Sequence, residues 1–348
     1  MSQSLNVALC SYGMSGQVFH APLIHGQAGF VLHTILQRNS NSAKEKYQNV
    51  QIVADFESII INPAIDVVVV NTPNELHFSM TKAALEAGKH VVVEKPFTIF
   101  SDQAQELIAL AEEKKLVLTV FHNKRLESDY LSLKEVINNQ KIGNIVEINW
   151  RYDRFRNHIT HKVWKEDNRP GAGTLYDLGV HLIDSALSIF GKPLAITAHQ
   201  RILRKEASST DYFNIRLDYN HLTVNLGSTT LAKYQVPVLV AHGDEGSMVF
   251  NASDIQEQQL KNGVSPDDNE FGINSTHPHY QIYTNINNED KMLEMNAPKG
   301  NYKAFYQNLY EAITIQKPLL VKPQEALETI KLIESALKSD AEKRTILL

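Results

Sequence analysis

The sequence predicts an α/β protein with a doubly wound parallel sheet at the N-terminus, followed by an α+β domain carrying a large, mainly antiparallel, open-faced sheet. Three observations lead there. From Leu5 to Phe121, short β-rich runs alternate with helix-like segments, the rhythm of a parallel sheet covered on both faces. Beyond that stretch the runs alternate apolar and polar residues, as half-buried strands do. The chain's 348 residues also exceed what one core usually organises, since domains cluster near roughly 100 to 200 residues. The expected division places a first domain at 1–123 and a second at 124–348.

In the first domain, strands are expected at Asn6–Cys10, Val31–Leu36, Gln51–Val53, Asp66–Asn71, His90–Glu94 and Leu116–Phe121. IDVVVVN and HVVVE are nearly continuous β-branched runs, which suits strands buried on both faces. Between them Phe78–Ala87 reads as a helix with Gly88 in the C-terminal cap position, and Ser101 as the cap of a second helix reaching about Lys115.

A linking helix near Glu127–Asn139 precedes the change of rhythm. VEINWRY, DYFNIRLDY, LTVNLGSTTL and VPVLVAH then read as antiparallel strands with one face packed and one free. Among them lies one long helix, Thr174–Phe190, with a stripe of Leu175, Leu178, Leu182, Ala186 and Ile189 and a stop at Gly191. The polar stretch from Ala252 to Gly300 is weakly patterned and reads as a long connection with short elements at most. Two amphipathic helices, Tyr302–Ile315 and Gln324–Lys338, close the chain.

Composition narrows the functional classes. A formal net charge of −5 gives no broad attraction to nucleic acid or anionic membranes. A single cysteine, Cys10, rules out an intrachain disulfide and suits a reducing compartment. The first ten residues lack a signal-peptide pattern and no run reaches the roughly 18 apolar residues of a membrane span, so a soluble cytoplasmic protein is expected.

The chemistry-bearing motifs begin with VALCSYGMSGQVF. Its turn, Ser11, Tyr12, Gly13, Met14, Ser15 and Gly16, follows the first strand and precedes a helix, where backbone amides can receive a pyrophosphate. Ser11 stands where the first glycine of G-x-G-x-x-G would be, and Gly13 and Gly16 fill the other two positions. At the end of the second strand stand Gln37, Arg38 and Asn39, with no carboxylate to bond a ribose and a guanidinium to pair with a 2′-phosphate. NADP is therefore preferred over NAD, although NAD stays possible.

VVVVNTPNELH and VVVEKPF place Asn71, Thr72, Pro73, Asn74, His77, Glu94, Lys95 and Pro96 at or after the carboxyl ends of apolar strands, the edge at which open α/β sheets bind ligands. In the second domain Asp177 and His181 are four residues apart, hence stacked on one helix face opposite the leucine stripe, with Asp184 and Ser188 continuing that face. A solvated polar stripe would show the same spacing. A metal pair would too, but no matching third ligand is evident, so no metal is assigned.

Together the glycine turn, TPN-x-x-H at Thr72–His77, EKP at Glu94–Pro96 and D-x-G-x-H at Asp177–His181 resemble the Gfo/Idh/MocA oxidoreductases over nearly the whole chain. GQVFHAPLI, FHNKR, YDRFR and STDYF look like the bacterial subgroup related to NADP-dependent scyllo-inositol dehydrogenase. The resemblance implies a Rossmann domain and a C-terminal domain that binds substrate and oligomerises. It implies that Lys95 contacts the reacting hydroxyl or carbonyl, that His181 is its proton partner, and that Asp177 binds substrate and orients the set. Glu94 and Pro96 would frame Lys95, while Thr72, Pro73, Asn74 and His77 would lie along the cofactor, with Asn123 of FHNKR added to that group.

Alcohol oxidation needs a hydride acceptor and a group that takes the hydroxyl proton, a task imidazole suits near neutral pH. His122, Asn123, Arg125, Tyr152, Asp153, Arg154, Arg156, His158 and Trp164 form a polar and aromatic set suited to a polyol or sugar, of which Tyr152 and Arg154 are taken as substrate candidates. The leading expectation is an NADP-dependent dehydrogenase of a polyol or sugar, such as scyllo-inositol and its ketone. A cofactor-retaining glycoside-modifying enzyme and a non-catalytic dinucleotide-sensing regulator are the alternatives. The uncovered sheet face leads to the expectation of a homodimer or homotetramer.

Overall fold

The computed structural model describes residues 4–159, 166–251, 253–274 and 279–348. They form two compact units, the first comprising Met1–Asn123, Ile255–Gly272 and Asn301–Leu327, the second Lys124–Asp254, Ile273–Gly300 and Glu328–Leu348.

Six strands make the sheet of the first unit: β1 (Leu5–Leu9), β2 (Phe30–Leu36), β3 (Gln51–Val53), β4 (Val67–Val70), β5 (His90–Val93) and β6 (Leu118–Val120). Every neighbouring pair is parallel, in the order β3-β2-β1-β4-β5-β6. This is the Rossmann order, whose direction of winding reverses between β1 and β4 and leaves a crevice beyond their carboxyl ends. All four valines of β4 are fully buried, which is why this strand shows no polar alternation. The expected strands are all present, within one or two residues at their ends.

The helix after β4 spans His77–Glu86, and Gly88 follows it at φ +76°, in the left-handed conformation its cap position requires. The next helix, Ser101–Lys114, corrects one detail. Phe100 occupies the N-cap position, so Ser101 is the first helical residue.

The second unit is built on a nine-stranded sheet of β7 (Ile145–Arg151), β8 (Ala195–Arg201), β9 (Tyr212–Asp218), β10 (Thr223–Thr229), β11 (Leu239–Gly243), β12 (Gly246–Phe250), β13 (His279–Ile286), β14 (Glu289–Asn296) and β15 (Ile346–Leu347). Its order is β14-β13-β12-β11-β7-β10-β9-β8-β15, antiparallel throughout except for the parallel pair β7 and β10. Register places Ile148 and Trp150 beside Val224 and Leu226, then Leu217 and Ile215, and on the other flank Ala241 and Leu239. All eight are fully buried, so one face of the sheet is a continuous apolar layer. The opposite face carries Glu147, Asn149 and Asn225, where the Asn225 amide donates to Glu147 and Asn149.

Two expectations for the chain beyond residue 123 are corrected. The polar stretch 252–300 is no loose connection. It contains a helix at Gln256–Lys261, part of the first unit, and the hairpin β13–β14, whose exposed charges at Glu289, Asp290 and Lys291 hid its strand character. Charged residues on an edge strand such as β14 oppose pairing with other chains, so the same feature has a physical use. The single long helix of 174–190 is divided: Leu175–Gly179 forms a wide π-helical turn, and only Val180–Phe190 is α-helical. Asp177 lies in the wide turn and His181 in the α-helix, so the four-residue stacking of a regular helix does not describe them. Nor is there a solvated stripe, because His181 and Asp184 are as buried as the leucines.

Candidate active site

The first unit brings the turn after β1 against the end of β4. The Ser11 amide donates to Asn71 Oδ1 at 2.9 Å, Asn71 Nδ2 donates back to the Ser11 carbonyl at 2.9 Å, and the Ser11 hydroxyl donates to the Asn71 carbonyl at 2.8 Å. Serine in the first glycine position thus tightens the turn, because its hydroxyl bonds to the neighbouring strand. The two glycines of the turn differ. A Cβ at Gly16 would lie 2.4 Å from the Ser11 carbonyl oxygen, so close packing demands glycine there. A Cβ at Gly13 would meet nothing nearer than the Ser11 hydroxyl, at 3.9 Å. The protein leaves that space open to a ligand. Tyr12 accepts from the Gln17 side chain, while Met14 and Ser15 begin the helical segment.

Beyond β2 the Gln37 amide organises its own loop, donating to the Ser40 and Ser42 hydroxyls and accepting from the Ala43 amide. Arg38 and Asn39 are exposed, and Arg38 makes no hydrogen bond or ion pair among the described residues. Beyond β4, the buried Thr72 hydroxyl has no hydrogen-bond partner among the described residues, while Pro73 leads into the short turn Asn74–Leu76. His77 is fully buried, with Nδ1 2.7 Å from the Pro96 carbonyl oxygen and Nε2 3.0 Å from that of Thr72. Burial draws its pKa below the usual histidine range against the pull of both carbonyls, each of which accepts from whichever ring nitrogen facing it carries a proton.

Beyond β5, Glu94 accepts the Lys95 amide at 3.1 Å, and the Lys95–Pro96 peptide is cis. Burial acts to raise the Glu94 carboxyl, but His20, Lys95 and His77 outweigh it and hold the pKa below the ordinary carboxylate range. Negative charge therefore persists beside the lysine. Asn123, nearly buried, opens a short turn after β6.

The open turn at Gly13, the unpaired Thr72 hydroxyl and the available Arg38 guanidinium fit a dinucleotide along one edge of this sheet. A separate cavity of about 420 Å³, lined by Leu5, Asp66 and His90, opens at the opposite, amino ends of β1, β4 and β5, and does not belong to this set.

In the second unit Arg154 and Asp177 approach each other, with Nη1 to Oδ2 at 3.9 Å and side chains 44% and 26% exposed. His181 follows on the same helical segment, only 5% exposed. Tyr152 is half-buried, its hydroxyl donating to Asp129 Oδ2 at 3.3 Å and its ring lying 4.8 Å from the Lys124 ammonium. Other members of the expected polar set are engaged internally. Arg125 makes a buried bidentate pair with Asp184 at 2.8 and 2.7 Å, and Asp153 binds Arg151 and the Thr229 amide. His122 is buried, Arg156 and His158 are exposed, and Trp164 lies outside the described residues.

Sequence reading missed the support of Tyr152. Lys124 sits 2.6 Å from Glu127, and Asp129 and Asp254 contribute two further carboxylates. Asp254 accepts from the Ser128 amide and hydroxyl, and Trp150 donates to Asp129. Burial and the neighbouring carboxylates push Glu127 up to about 8 despite the lysine. With Glu127 raised to about 8, the cluster holds a proton near neutrality. Lys124, Glu127 and Asp129 are close in sequence, but their partners Trp150 and Asp254 are not local to them.

The fold and these groups define a nicotinamide-binding oxidoreductase with a Rossmann half and a second α/β half. Residues 5–122 match the family model described as the NAD-binding Rossmann fold of the oxidoreductase family, and residues 134–348 its C-terminal alpha/beta domain. The chain is 34% identical to the scyllo-inositol 2-dehydrogenase (NADP(+)) IolW of Bacillus subtilis, over 99% of this chain and 96% of that protein. It is 30% identical to the D-glucoside 3-dehydrogenase of Escherichia coli over 57% of this chain and 58% of that one. Among solved structures, the yvaA oxidoreductase of Bacillus subtilis superimposes with a TM-score of 0.97 at 33% identity, covering 100% of this chain and 99% of that one. The chain belongs to the Gfo/Idh/MocA oxidoreductase family, with sugar and polyol dehydrogenases among its homologues, and is a dehydrogenase acting on CH–OH groups.

Two outcomes follow. Gly13→Ala leaves the thermal midpoint within a degree or two but weakens cofactor binding roughly tenfold or more, whereas Gly16→Ala lowers the midpoint as well; dye-monitored melting and cofactor titration separate them. Glu127, whose folded-state pKa lies above its ordinary value, contributes stability in full below that ordinary value and loses it as pH rises through about 8. The wild type should therefore lose thermal stability relative to Glu127→Gln between about pH 4.5 and pH 8, and parallel melting curves across that range would refute the assignment.

Proposed function

We propose that this chain is an NADP-dependent dehydrogenase that interconverts a secondary alcohol of a cyclic polyol or sugar, with scyllo-inositol as its leading candidate, and the corresponding ketone. One observation supports this reading above the others: Arg38, Thr72 and Lys95 follow the carboxyl ends of β2, β4 and β5, which in a parallel sheet form a single edge. Such an edge takes the adenosine phosphate near β2 and the reacting end of the cofactor toward β5. The absence of a carboxylate at Gln37–Asn39 supports the phosphorylated cofactor, as does the cofactor in the name of the Bacillus relative. Cofactor contacts are assigned to the turn Ser11–Gly16, to Gln37, Arg38 and Asn39, to Asn71–Asn74 and His77, to Glu94–Pro96 and to Asn123.

When bound, the nicotinamide supplies the hydride acceptor. His181 takes the hydroxyl proton during oxidation and returns it during reduction. Lys95 donates a hydrogen bond to the same oxygen, where negative charge develops. Asp177 and Arg154 bind the neighbouring hydroxyls, and Tyr152 adds a polar-edged apolar surface suited to a sugar ring. The protein is assigned to the cytoplasm and to a homo-oligomer formed through its C-terminal sheet.

A panel of inositols and aldoses, read by the absorbance of reduced nicotinamide, tests the assignment. Turnover should be highest with a cyclic polyol and NADP. Lys95→Ala and His181→Ala should each lower kcat by roughly 10²- to 10⁴-fold, the usual weight of a positioned proton donor or acceptor. Turnover near wild type in both would remove the mechanism, and a tightly copurifying cofactor with no net redox change would favour glycoside modification instead.

Arg38→Ala should raise the NADP KM by about 10- to 100-fold, the scale of a charge-assisted hydrogen bond, and leave the NAD KM nearly unchanged. Equal changes in both would remove the NADP assignment.

A further inference from the structure

Lys95 is flanked by two residues that are each tied to a different buried histidine. On one side His20, fully buried after the switch-point turn, has Nε2 2.9 Å from Glu94 Oε1 and Nδ1 2.7 Å from the Tyr306 hydroxyl. Burial and the Glu94 charge keep Tyr306 well above the usual phenol range, so its hydroxyl retains its proton. One tautomer satisfies every group. Tyr306 donates to Nδ1, the Nε2 proton goes to Glu94 Oε1, and Glu94 Oε2 accepts the Lys95 amide. Phe121 packs 4.7 Å from the His20 ring and Phe305 packs 4.9 Å from Phe121, so aromatic rings close over the relay.

On the other side, the His77 ring bridges two carbonyl oxygens, with Nδ1 2.7 Å from that of Pro96 and Nε2 3.0 Å from that of Thr72. Neither histidine reaches solvent, and neither has a ring nitrogen left over for a substrate. What they can do is hold. A carboxylate buried beside a lysine stays ionised and in place only where hydrogen bonds compensate for lost water.

We propose that His20 and His77 are positioning residues that clamp the Glu94–Lys95–Pro96 segment from both sides, fixing the direction in which Lys95 leaves the end of β5 and keeping a charged carboxylate beside it. This rests on Lys95 being the reacting lysine of the proposed function. Tyr306 belongs to the clamp as the group that sets the His20 tautomer. The charged and titratable groups around the segment are Glu94, His20, His77 and Tyr306.

The test uses the full-length enzyme with NADP. His20→Leu and His77→Leu should lower kcat about 100-fold with the substrate KM within roughly threefold, the signature of a displaced rather than a lost contact. His20→Gln keeps a donor toward Glu94 and His77→Asn one toward Pro96, so each should recover at least about tenfold of the loss. A second readout does not need turnover: pulse acylation of Lys95, followed by peptide mass spectrometry, reports the reactivity of its amine. Removing His20 lets Glu94 take up a proton, so Lys95 should acylate several-fold faster at neutral pH.

If the leucine variants fail to fold, Tyr306→Phe serves in their place, with about threefold lower kcat and faster acylation expected. Unchanged kcat and acylation in folded variants would overturn the clamp, as would equal losses in the leucine and amide variants with acylation unchanged. Full turnover in Lys95→Ala would overturn the proposed function, while the acylation result would still decide the clamp.

Discussion

The first unit depends on how two strands that are distant in sequence are joined at the point where the sheet reverses. Ser11 and Asn71 exchange three hydrogen bonds there, and each satisfies a backbone group at a strand end: the Ser11 amide, the Ser11 carbonyl and the Asn71 carbonyl. Because the asparagine side chain satisfies both the amide and the carbonyl of Ser11, the chain can leave β1, pass Gly13 and turn into a helix with no side chain in the way. Gly16 is forced by the same contact, since its missing Cβ is the space into which the Ser11 carbonyl and the Asn71 amide fit. The open crevice is therefore a consequence of the lock, and the loops after β4 and β5 inherit their positions from it through parallel pairing.

The second unit solves a different problem. Its sheet buries one apolar face, but the elements against that face carry charge: Arg125 with Asp184, Lys124 with three carboxylates, and Arg204 with Glu166 and Asp211. Buried pairs of this kind contribute little net stability compared with apolar packing, yet breaking one leaves a costly unpaired charge. Their effect is to hold geometry. Arg125 and Asp184 bind the turn after Asn123 to the helix that carries His181, and Asp129 supports both Trp150 and Tyr152. Tyr152, assigned to substrate, thus stands on a polar scaffold whose members are themselves hydrogen-bonded.

Strands and helices of the first unit were legible because burial on both faces writes itself as runs of valine, and because Gly88 punctuates the helix after β4. The hairpin β13–β14 was not, since a strand with little to bury has no apolar period to read. The π-helical turn at Leu175–Gly179 was also invisible: its residues keep a helix-like composition, and the extra residue per turn is a matter of backbone bonding. Candidate site residues at strand ends could be named from position, because a parallel sheet fixes which loops share an edge. Their supports could not. Glu94 meets His20 across 74 residues of sequence and His20 meets Tyr306 across 286, and no local pattern links residues so far apart.

The charge balance around Lys95 explains why such remote support is needed. An amine beside an apolar strand end would tend to lose its proton, since burial penalises the charged form. An adjacent carboxylate prevents that only if it stays charged, and Glu94 is itself buried enough that desolvation works against it. Its ionisation comes from the His20 hydrogen bond together with the charges around it, and a hydrogen bond from Tyr306 to the other ring nitrogen favours the tautomer that gives that bond. A phenol deep in the first unit is in this way linked, through an imidazole and a carboxylate, to the backbone amide of the lysine at the ligand-binding edge of the sheet.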